Sequence, residues 1–484
     1  MRVAYHHSAP KGRVTGGALR YYQEVSQLLT AHASEGLRPE AHDFFELMRW
    51  SEEDLAAFVG ELGARDVLVS TVGPYAQFYF YLRERYGGRF RIVRDVRTST
   101  WAGYLLQEQL VAPLLRPGDD VLFPSEFCRA YFQRLFPDSL SNQNTRVCYP
   151  LVSLFPTALP RRASSRLRVG YVGRIAPDKN LPQILSIFAQ LLRSGERQAE
   201  LLLAGPVEGQ PLERVAAFQL GRRAARLGIP RSQLSYAGNL SEEQVWRFFA
   251  NLDVLLFPAM ASVESMGRII LEAAHAGVRV VAAHYAAAPE LLARSALIRS
   301  EYRVNEVFGT IKPFSFGNVD EADAVERVLR SSPNPEPSRK PQYQWPALHA
   351  ALAGEPPPPS APLDPVVSAF VRALRTEGLA KYGSVAAMSR LESAWQFIRR
   401  YNDNRTTSRV GLVLGSKARN AGLERNLCWE RVAKPGQRMV LAHARQHCHF
   451  LGFDPTIRLE PDARDLGLLA ASKVLPVEPE RIAS

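Results

Sequence analysis

The chain has 484 residues, 46% hydrophobic and 22% charged, which is the balance of a globular protein with two or three domains. A net charge of +12 is compatible with nucleic acid, an anionic membrane or an acidic substrate as the partner. No zinc-finger, RNA-recognition or helix-turn-helix pattern favours nucleic acid. Neither a secretion signal nor a run of about 18 apolar residues is present, so export and membrane spans are not expected.

The N-terminal half reads as strands separated by helices. Arg2–Tyr5 is the predicted first strand, and a helix through Leu29 opens at a loop that contains Gly16 and Gly17. A Gly-Gly pair at a helix start allows close backbone approach to a sugar phosphate, although a plain loop also explains it. Further strands are predicted over 67–70, 91–93, 121–123 and 146–149.

A stretch rich in aromatic and basic residues, Phe78–Tyr86, has two interpretations. As a helix, this stretch would present basic and aromatic side chains that suit binding to the surface of an anionic bilayer. It equally suits a core helix with a solvated edge, because arginine stems cover apolar surface. The core interpretation is favoured, and contact with an anionic membrane stays open.

The next strand, Leu167–Gly173, ends in glycine and is followed by a loop with two cations and an amphipathic helix through Leu192. The cations are Arg174 and Lys179. Arginine provides a fork of donors and lysine a point charge, so the loop is suited to bind a diphosphate.

From there strands and helices alternate up to residue 282. Strands end at Gly205, near Gly238 and at Phe257, and helices are predicted over 212–227, from 241 and over 264–276. Alternation predicts a doubly wound parallel sheet, whose ligands bind where the strands end. The loops after these strands are therefore expected to converge on one edge of the sheet.

The segment from Phe257 to Gly277 carries the clearest chemistry. Glu264 and Glu272 are eight residues apart, and Met266 and Gly267 fall at the predicted helix start, where backbone N–H groups favour an anion. Placed on one helix, the two carboxylates would be about 12 Å apart along the axis, suited to two parts of one elongated ligand. A surface helix with two solvated glutamates explains the same residues.

Beyond a helix at 321–329 the signal weakens. Residues 331–365 are rich in proline and predict a stiff linker, and helices are expected over 366–379 and 385–401. The second of these, with Trp395, is expected to pack across the N-terminal domain. His443 and His447 have an i,i+4 spacing, but no further ligand is placed by spacing, so no metal is predicted.

Residues 167–290 resemble the nucleotide-binding domain of GT-B-fold retaining glycosyltransferases of family 4. The motifs that carry the resemblance are Gly173-Arg174 with Lys179-Asn180, the Ala-Gly pairs at 204–205 and 237–238, and the Glu-x7-Glu pair. The resemblance covers about a quarter of the chain.

It implies that Arg174 and Lys179 hold the donor diphosphate, Glu264 contacts the donor sugar and Glu272 the ribose hydroxyls. Gly173, Gly238 and the amides of Met266 and Gly267 would complete the binding site for the nucleotide sugar, as would the Gly16-Gly17 loop. Ser125 also follows the family pattern.

One feature departs from the family. Its members usually carry a histidine that contacts the donor sugar, whereas the matching stretch here contains Asp95 and Arg97. Either of these residues takes that place, or the donor is unusual. His6 and His7, at the end of the first strand, are a weaker alternative.

The predicted fold is α/β, of the GT-B type, with two Rossmann-like doubly wound domains facing a cleft and a helical C-terminal extension. The predicted boundaries are 1–160 for the acceptor domain, 167–330 for the nucleotide-sugar domain, 331–365 for the linker and 366–484 for the extension.

The predicted function is retaining transfer of a sugar from a UDP- or GDP-sugar to an unidentified acceptor, without cofactor or metal. Four cysteines without CxxC spacing predict a cytoplasmic protein, with the inner face of the membrane left open. The main alternative is an inactive GT-B protein that only binds a nucleotide sugar. A basic nucleic-acid-binding protein is the least favoured alternative, because it leaves the two glutamates without a role.

Overall fold

The computed structural model contains two six-stranded sheets in which every neighbouring pair of strands is parallel. The residues it describes are 1–7, 25–32, 37–43, 47, 49–71, 76–97, 102–149, 165–176, 179–196, 198–207, 212–304, 307–308, 315–330, 344–375, 381–402, 456–459 and 475–476. The expected fold class, two Rossmann-like doubly wound domains facing a cleft, is confirmed.

The first sheet belongs to the N-sheet domain, which is defined here as the described residues up to 149. Its strands are β1 (Arg2–His7), β2 (Arg38–Asp43), β3 (Val67–Thr71), β4 (Arg91–Asp95), β5 (Asp120–Phe123) and β6 (Thr145–Val147). They lie in the order β2-β1-β3-β4-β5-β6. The order reverses direction between β1 and β3, which is the point where an open α/β sheet binds ligands.

Helices connect these strands and cover the sheet. Residues 25–31 are helical, and the later helices are α1 (Glu52–Glu61), α2 (Phe78–Arg85), α3 (Ala102–Val111) and α4 (Glu126–Leu135). The first six side chains of α2 are buried. The core interpretation of this aromatic helix is therefore confirmed, since its rings pack inside the domain.

The second sheet belongs to the C-sheet domain, defined as the described residues from 165 to 330. Its strands are β7 (Arg168–Val172), β8 (Glu200–Ala204), β9 (Leu234–Tyr236), β10 (Val254–Phe257), β11 (Arg279–Ala283) and β12 (Leu297–Ile298). They lie in the order β12-β11-β10-β7-β8-β9, so the direction of winding reverses between β7 and β10.

The helices of this domain follow the predicted alternation. They are α5 (Leu181–Arg193), α6 (Glu213–Arg226), α7 (Glu242–Ala250), α8 (Arg268–His275), α9 (Ala288–Leu291) and α10 (Glu321–Leu329). Ser241 caps α7 with its side chain, and Gln244 returns the bond in a capping box, which explains why the helix starts there.

The segment expected to be a linker includes a packed helix, α11 (Gln344–Ala353). Leu348 and Leu352 are buried in a cluster with Val3 and Val67 of the N-sheet domain. The guanidinium of Arg91 also donates to the carbonyl of Leu352 at 2.6 Å. After this helix, residues 355–364 contain no helix or strand and include Pro356–Pro359.

Two further helices pack against the domains. The helix α12 (Pro365–Ala373) has Phe370 at its centre, and α13 (Ser384–Asn402) carries Trp395. The Trp395 ring is fully buried, with its centroid 5.4 Å from that of Phe78. This confirms the expectation that the last predicted helix packs across the N-terminal domain.

Short strands complete the described part of the chain. They are β13 (Ser300–Val304), β14 (Val307–Phe308), β15 (Gly317–Val319), β16 (Leu374–Arg375), β17 (Thr456–Leu459) and β18 (Leu475–Pro476). They form two three-stranded sheets, β15-β13-β18 and β14-β17-β16. Among the described residues, no helix is both long and apolar enough to cross a bilayer.

Phe370 of α12 joins the two domains. Its ring centroid lies 5.4 Å from that of Tyr285 and 5.4 Å from that of Tyr302, both in the C-sheet domain. On the other side it lies 6.2 Å from Phe127 of α4. Aromatic rings at these distances pack favourably, so α12 holds the two domains together through one continuous apolar cluster.

Replacing Gly205 with alanine tests how tightly the ends of β7 and β8 approach. A Cβ atom at this position would lie 2.0 Å from the carbonyl oxygen of Gly173, and φ is +115°. We expect Gly205→Ala to lose about 2 kcal/mol or more of unfolding free energy in urea denaturation, because backbone must move.

Gly221→Ala is the matched control, since nothing lies within 4 Å of the added atom on helix α6. It is expected to leave stability unchanged or raise it by up to about 1 kcal/mol. Equal unfolding midpoints for Gly205→Ala and the wild type would contradict the close approach.

Candidate functional site

The candidate site lies where the C-sheet reverses its winding, at the carboxyl ends of β7 and β10. The loop after β7 carries Arg174 and Lys179, and the loop after β10 carries Glu264. Because adjacent parallel strands end at the same edge, this topology brings the two loops together although 85 residues separate Lys179 from Glu264. The expected convergence on one edge is therefore confirmed for these two loops.

Glu264 makes two contacts that define the centre of the site. One carboxylate oxygen lies 2.6 Å from the Nζ atom of Lys179, and the other accepts a hydrogen bond from the backbone N–H of Gly267 at 2.8 Å. The side chains of Lys179 and Glu264 are 18% and 12% exposed, so the ion pair is largely shielded from water. The carboxylate therefore holds both the lysine and the helix start in place.

The helix that follows is shorter than predicted. It begins at Arg268, with Gly267 as its N-cap in the left-handed region (φ +74°), rather than at Glu264. Glu264 lies in the preceding loop, defined here as the Glu264 loop (residues 262–267), which starts with a turn from Ala261. The expectation that both glutamates lie on one helix is wrong, because glycine at this conformation breaks the helical run.

Glu272 lies on α8 and is buried. Its carboxylate accepts from the Nε atom of Arg268 at 2.9 Å, an i,i+4 pair on the same helix. Met266, one residue before the N-cap, is also buried. The assignment of Glu272 to a ribose and of the Met266 amide to a phosphate remains a prediction.

Three glycines form the edge of the sheet beside this centre. Gly205 donates its N–H to the carbonyl of Gly238 at 2.6 Å, and Gly173 donates to Ala204 at 3.1 Å. The carboxylate of Glu213 lies against Gly238, where φ is +68°, so a side chain has no room there. The glycines thus allow the ends of β7, β8 and β9 to approach one another closely, beside the loop that carries Arg174 and Lys179.

Arg174 follows Gly173 directly, and its backbone carbonyl accepts from the hydroxyl of Tyr171 at 3.1 Å. Ile175 then forms a bridge with Val207, which fixes the path of the loop. Arg174 is partly exposed at this edge. Its binding to a diphosphate remains a prediction.

The loop with Gly16 and Gly17 lies outside the described residues, as do His443 and His447. His6 and His7 are the last two residues of β1. Among the described residues, no group of three or more His, Cys, Asp or Glu side chains is placed to hold a metal ion. The roles proposed for the N-terminal glycines stay predictions.

Asp95 is the last residue of β4, and Arg97 follows the strand by two residues, in the stretch matched to the histidine of the family. The Nε atom of Arg97 lies 2.7 Å from the Asp95 carboxylate, and its guanidinium also donates to the carbonyl of Cys148. Both side chains are buried inside the N-sheet domain. The backbone carbonyl of Arg97 accepts from the Ser265 hydroxyl at 3.2 Å, so this stretch touches the Glu264 loop.

Glu290, on α9, makes contacts between the domains that its sequence context did not indicate. Its side chain crosses to the N-sheet domain and accepts hydrogen bonds from the backbone N–H groups of Glu126 and Phe127 and from the hydroxyl of Tyr149. Burial raises the pKa of Glu290 to about 7, against the lowering effect of these three hydrogen bonds. Its position in the sequence gave no signal, because glutamate side chains are mostly exposed in folded proteins.

One family model matches part of this chain. Residues 160–298 match the family model described as "Glycosyl transferases group 1", and this range contains both loops of the candidate site. The match supports the expected enzyme class, a glycosyltransferase. A search of curated proteins found no match.

Several solved structures are similar to this chain. HepE from Anabaena, in complex with UDP and glucose, is 15% identical with a TM-score of 0.40, covering 60% of this chain and 83% of that chain. Sucrose-phosphate synthase from Thermosynechococcus elongatus is 15% identical with a TM-score of 0.44, covering 59% and 82%.

The apo form of the lipopolysaccharide outer core galactosyltransferase WaaB is 16% identical with a TM-score of 0.44, covering 73% and 94%. All three TM-scores are below 0.5. The fold assignment therefore rests on the order and direction of the strands in the two sheets.

A double-mutant cycle on Lys179 and Glu264 measures the ion pair at the centre of the site. We expect Lys179→Met and Glu264→Gln to be coupled by about 1–3 kcal/mol in urea denaturation, because the two charges are close and largely shielded from water. The exposed pair of Glu243 and Arg247 serves as the control, with an expected coupling of about 0.3–0.5 kcal/mol. A coupling near zero at the Lys179 pair would contradict this geometry.

Proposed function

We propose that the chain transfers a glycosyl group from a UDP-sugar or a GDP-sugar to a hydroxyl group of an acceptor. The transfer retains the anomeric configuration of the sugar. The observation that carries this proposal is the contact of Glu264 with both Lys179 and Gly267 at the reversal point of the C-sheet. The matching family model covers the same residues.

The chemical argument starts from the leaving group. When the bond between the anomeric carbon and the diphosphate oxygen breaks, its electron pair stays on the phosphate, and negative charge grows there. Lys179 and Arg174, together with the backbone N–H groups near Gly267, would stabilise that charge in a site partly shielded from water. An ammonium has three N–H donors, so Lys179 is able to contact a phosphate and Glu264 together.

The sugar develops positive charge as the diphosphate leaves. The carboxylate of Glu264, held in place by Lys179 and Gly267, would offset that charge and contact a sugar hydroxyl. In the proposed route the acceptor oxygen attacks from the face that the diphosphate leaves, and its proton moves to a phosphate oxygen. This route needs no separate protein base and gives retention.

The nucleoside end of the donor is assigned to Glu272, which would accept hydrogen bonds from the ribose hydroxyls. The Arg268 side chain orients this carboxylate from the same helix. Within this proposal the reaction needs no cofactor, and the acceptor belongs to the cell-surface glycans, glycolipids or small natural products. The reaction would take place in the cytoplasm, including at the inner face of the membrane.

Proton NMR of UDP- and GDP-sugars incubated with the protein and water or a simple alcohol tests this proposal. We expect slow release of nucleotide from one donor, with the first sugar product in the anomeric configuration of the donor. Lys179→Met should lower the rate by about 100-fold or more, because a charge on the leaving group loses its partner.

Lys381→Met is the matched control, since this exposed lysine pairs with Asp138 far from the candidate loops in sequence. It should keep the wild-type rate. Binding of a donor without any release of nucleotide would favour the inactive alternative, and an inverted product would contradict retention.

A further inference from the structure

The N-terminus of α4 in the N-sheet domain is held by a side chain of the other domain. One carboxylate oxygen of Glu290 accepts from the N–H of Phe127 at 2.7 Å, and the other accepts from the N–H of Glu126 at 3.0 Å. The hydroxyl of Tyr149 donates to the second oxygen at 2.6 Å. Glu290 is 7% exposed, so this contact is closed to solvent.

Ser125, the N-cap of α4, makes a second contact between the domains. Its hydroxyl accepts from the N–H of Cys128 at 3.0 Å and donates to the backbone carbonyl of Ser265 at 2.6 Å. Ser265 is the residue after Glu264, and its own hydroxyl donates to the carbonyl of Arg97. The first turn of α4 is therefore tied to the Glu264 loop.

The first N–H groups of a helix have no partner within the helix and attract negative charge. In α4 the N–H groups of Glu126 and Phe127 bind a carboxylate from the C-sheet domain, and that of Cys128 binds the N-cap. Leaving such buried groups without an acceptor is costly. The N–H groups of Glu126 and Phe127 therefore keep their acceptor only while the C-sheet domain is docked against α4.

We propose that Glu290 is a positioning residue for the transfer reaction, because it fixes α4, and with it the N-sheet domain, against the loop that carries Glu264. The inference rests on the proposed function and adds to it a residue that contacts neither donor nor acceptor. Glu290 acts through α4 and Ser125, whose bond to Ser265 sets where the Glu264 loop lies relative to the opposite domain.

The roles of the two domains predict a split between binding and turnover. The side chains assigned to the diphosphate, Arg174 and Lys179, lie in the C-sheet domain, so a nucleoside diphosphate should still bind when Glu290 is changed. Transfer needs the two domains in a defined relative position, so kcat should fall when Glu290 is changed.

The test compares Glu290→Ala with Glu290→Gln and with Glu243→Ala, an exposed glutamate of α7. We expect Glu290→Ala to keep the nucleoside diphosphate Kd and the donor KM within about 3-fold, and to lower kcat by about 10-fold or more. Glu290→Gln keeps the size and one oxygen acceptor, so kcat should be partly restored. Glu243→Ala should match the wild type.

Amide hydrogen exchange in the first turn of α4 gives a readout that needs no donor. Exchange at Glu126 and Phe127 should rise in Glu290→Ala and stay at the wild-type level in Glu243→Ala. If Glu290→Ala does not fold, the same measurements on Glu290→Gln and Tyr149→Phe decide the matter, with smaller changes in the same direction expected.

An unchanged kcat in variants that exchange faster would overturn the inference, and so would unchanged exchange. A wild type that binds none of the nucleoside diphosphates would instead overturn the proposed function. In that case faster exchange in Glu290→Ala would still support the contact between domains, whereas unchanged exchange would overturn it.

Discussion

The candidate site depends on the two contacts of the Glu264 carboxylate. One holds Lys179 from the loop after β7, and the other holds the N–H of Gly267 at the start of α8. These bonds connect two segments that are distant in sequence and neighbours only because the sheet reverses its winding between β7 and β10. A cation, a carboxylate and a helix start are thereby concentrated at one edge of the sheet, and the proposed function places the diphosphate and the sugar of the donor there.

The second constraint is the docking of the domains. Apolar packing around Phe370 connects the two domains, and it has little directional preference. The polar contacts of Glu290 and Ser125 with α4 and the Glu264 loop add direction, because hydrogen bonds require defined geometry. Together they hold the Glu264 loop at a fixed place between the domains.

The sequence predicted the alternation of strands and helices well. Apolar strands of four or five residues, such as β7 and β10, end at a glycine or proline, and these signals are local. The convergence of Arg174, Lys179 and Glu264 on one edge also followed, since parallel strands end on the same side.

What the sequence did not predict depends on contacts between distant segments. The start of α8 moved to Arg268 because Gly267 takes a left-handed conformation, which spacing alone does not show. Helix α11 forms within a proline-rich segment because Leu348 and Leu352 find an apolar surface on the N-sheet domain. In the sequence, nothing distinguishes Glu290 from an exposed glutamate, because its partners on α4 come from a distant segment of the chain.

The most direct measurement is a thermal-shift panel with UDP, GDP, ADP and CMP on the wild type and on Glu272→Ala. The proposal predicts that one nucleoside diphosphate raises the Tm of the wild type, because a ligand that binds only the folded state stabilises it. The shift should be lost or strongly reduced in Glu272→Ala, where the ribose partner is missing. No shift with any of the four nucleotides, or an equal shift in the variant, would contradict the assignment of the donor site.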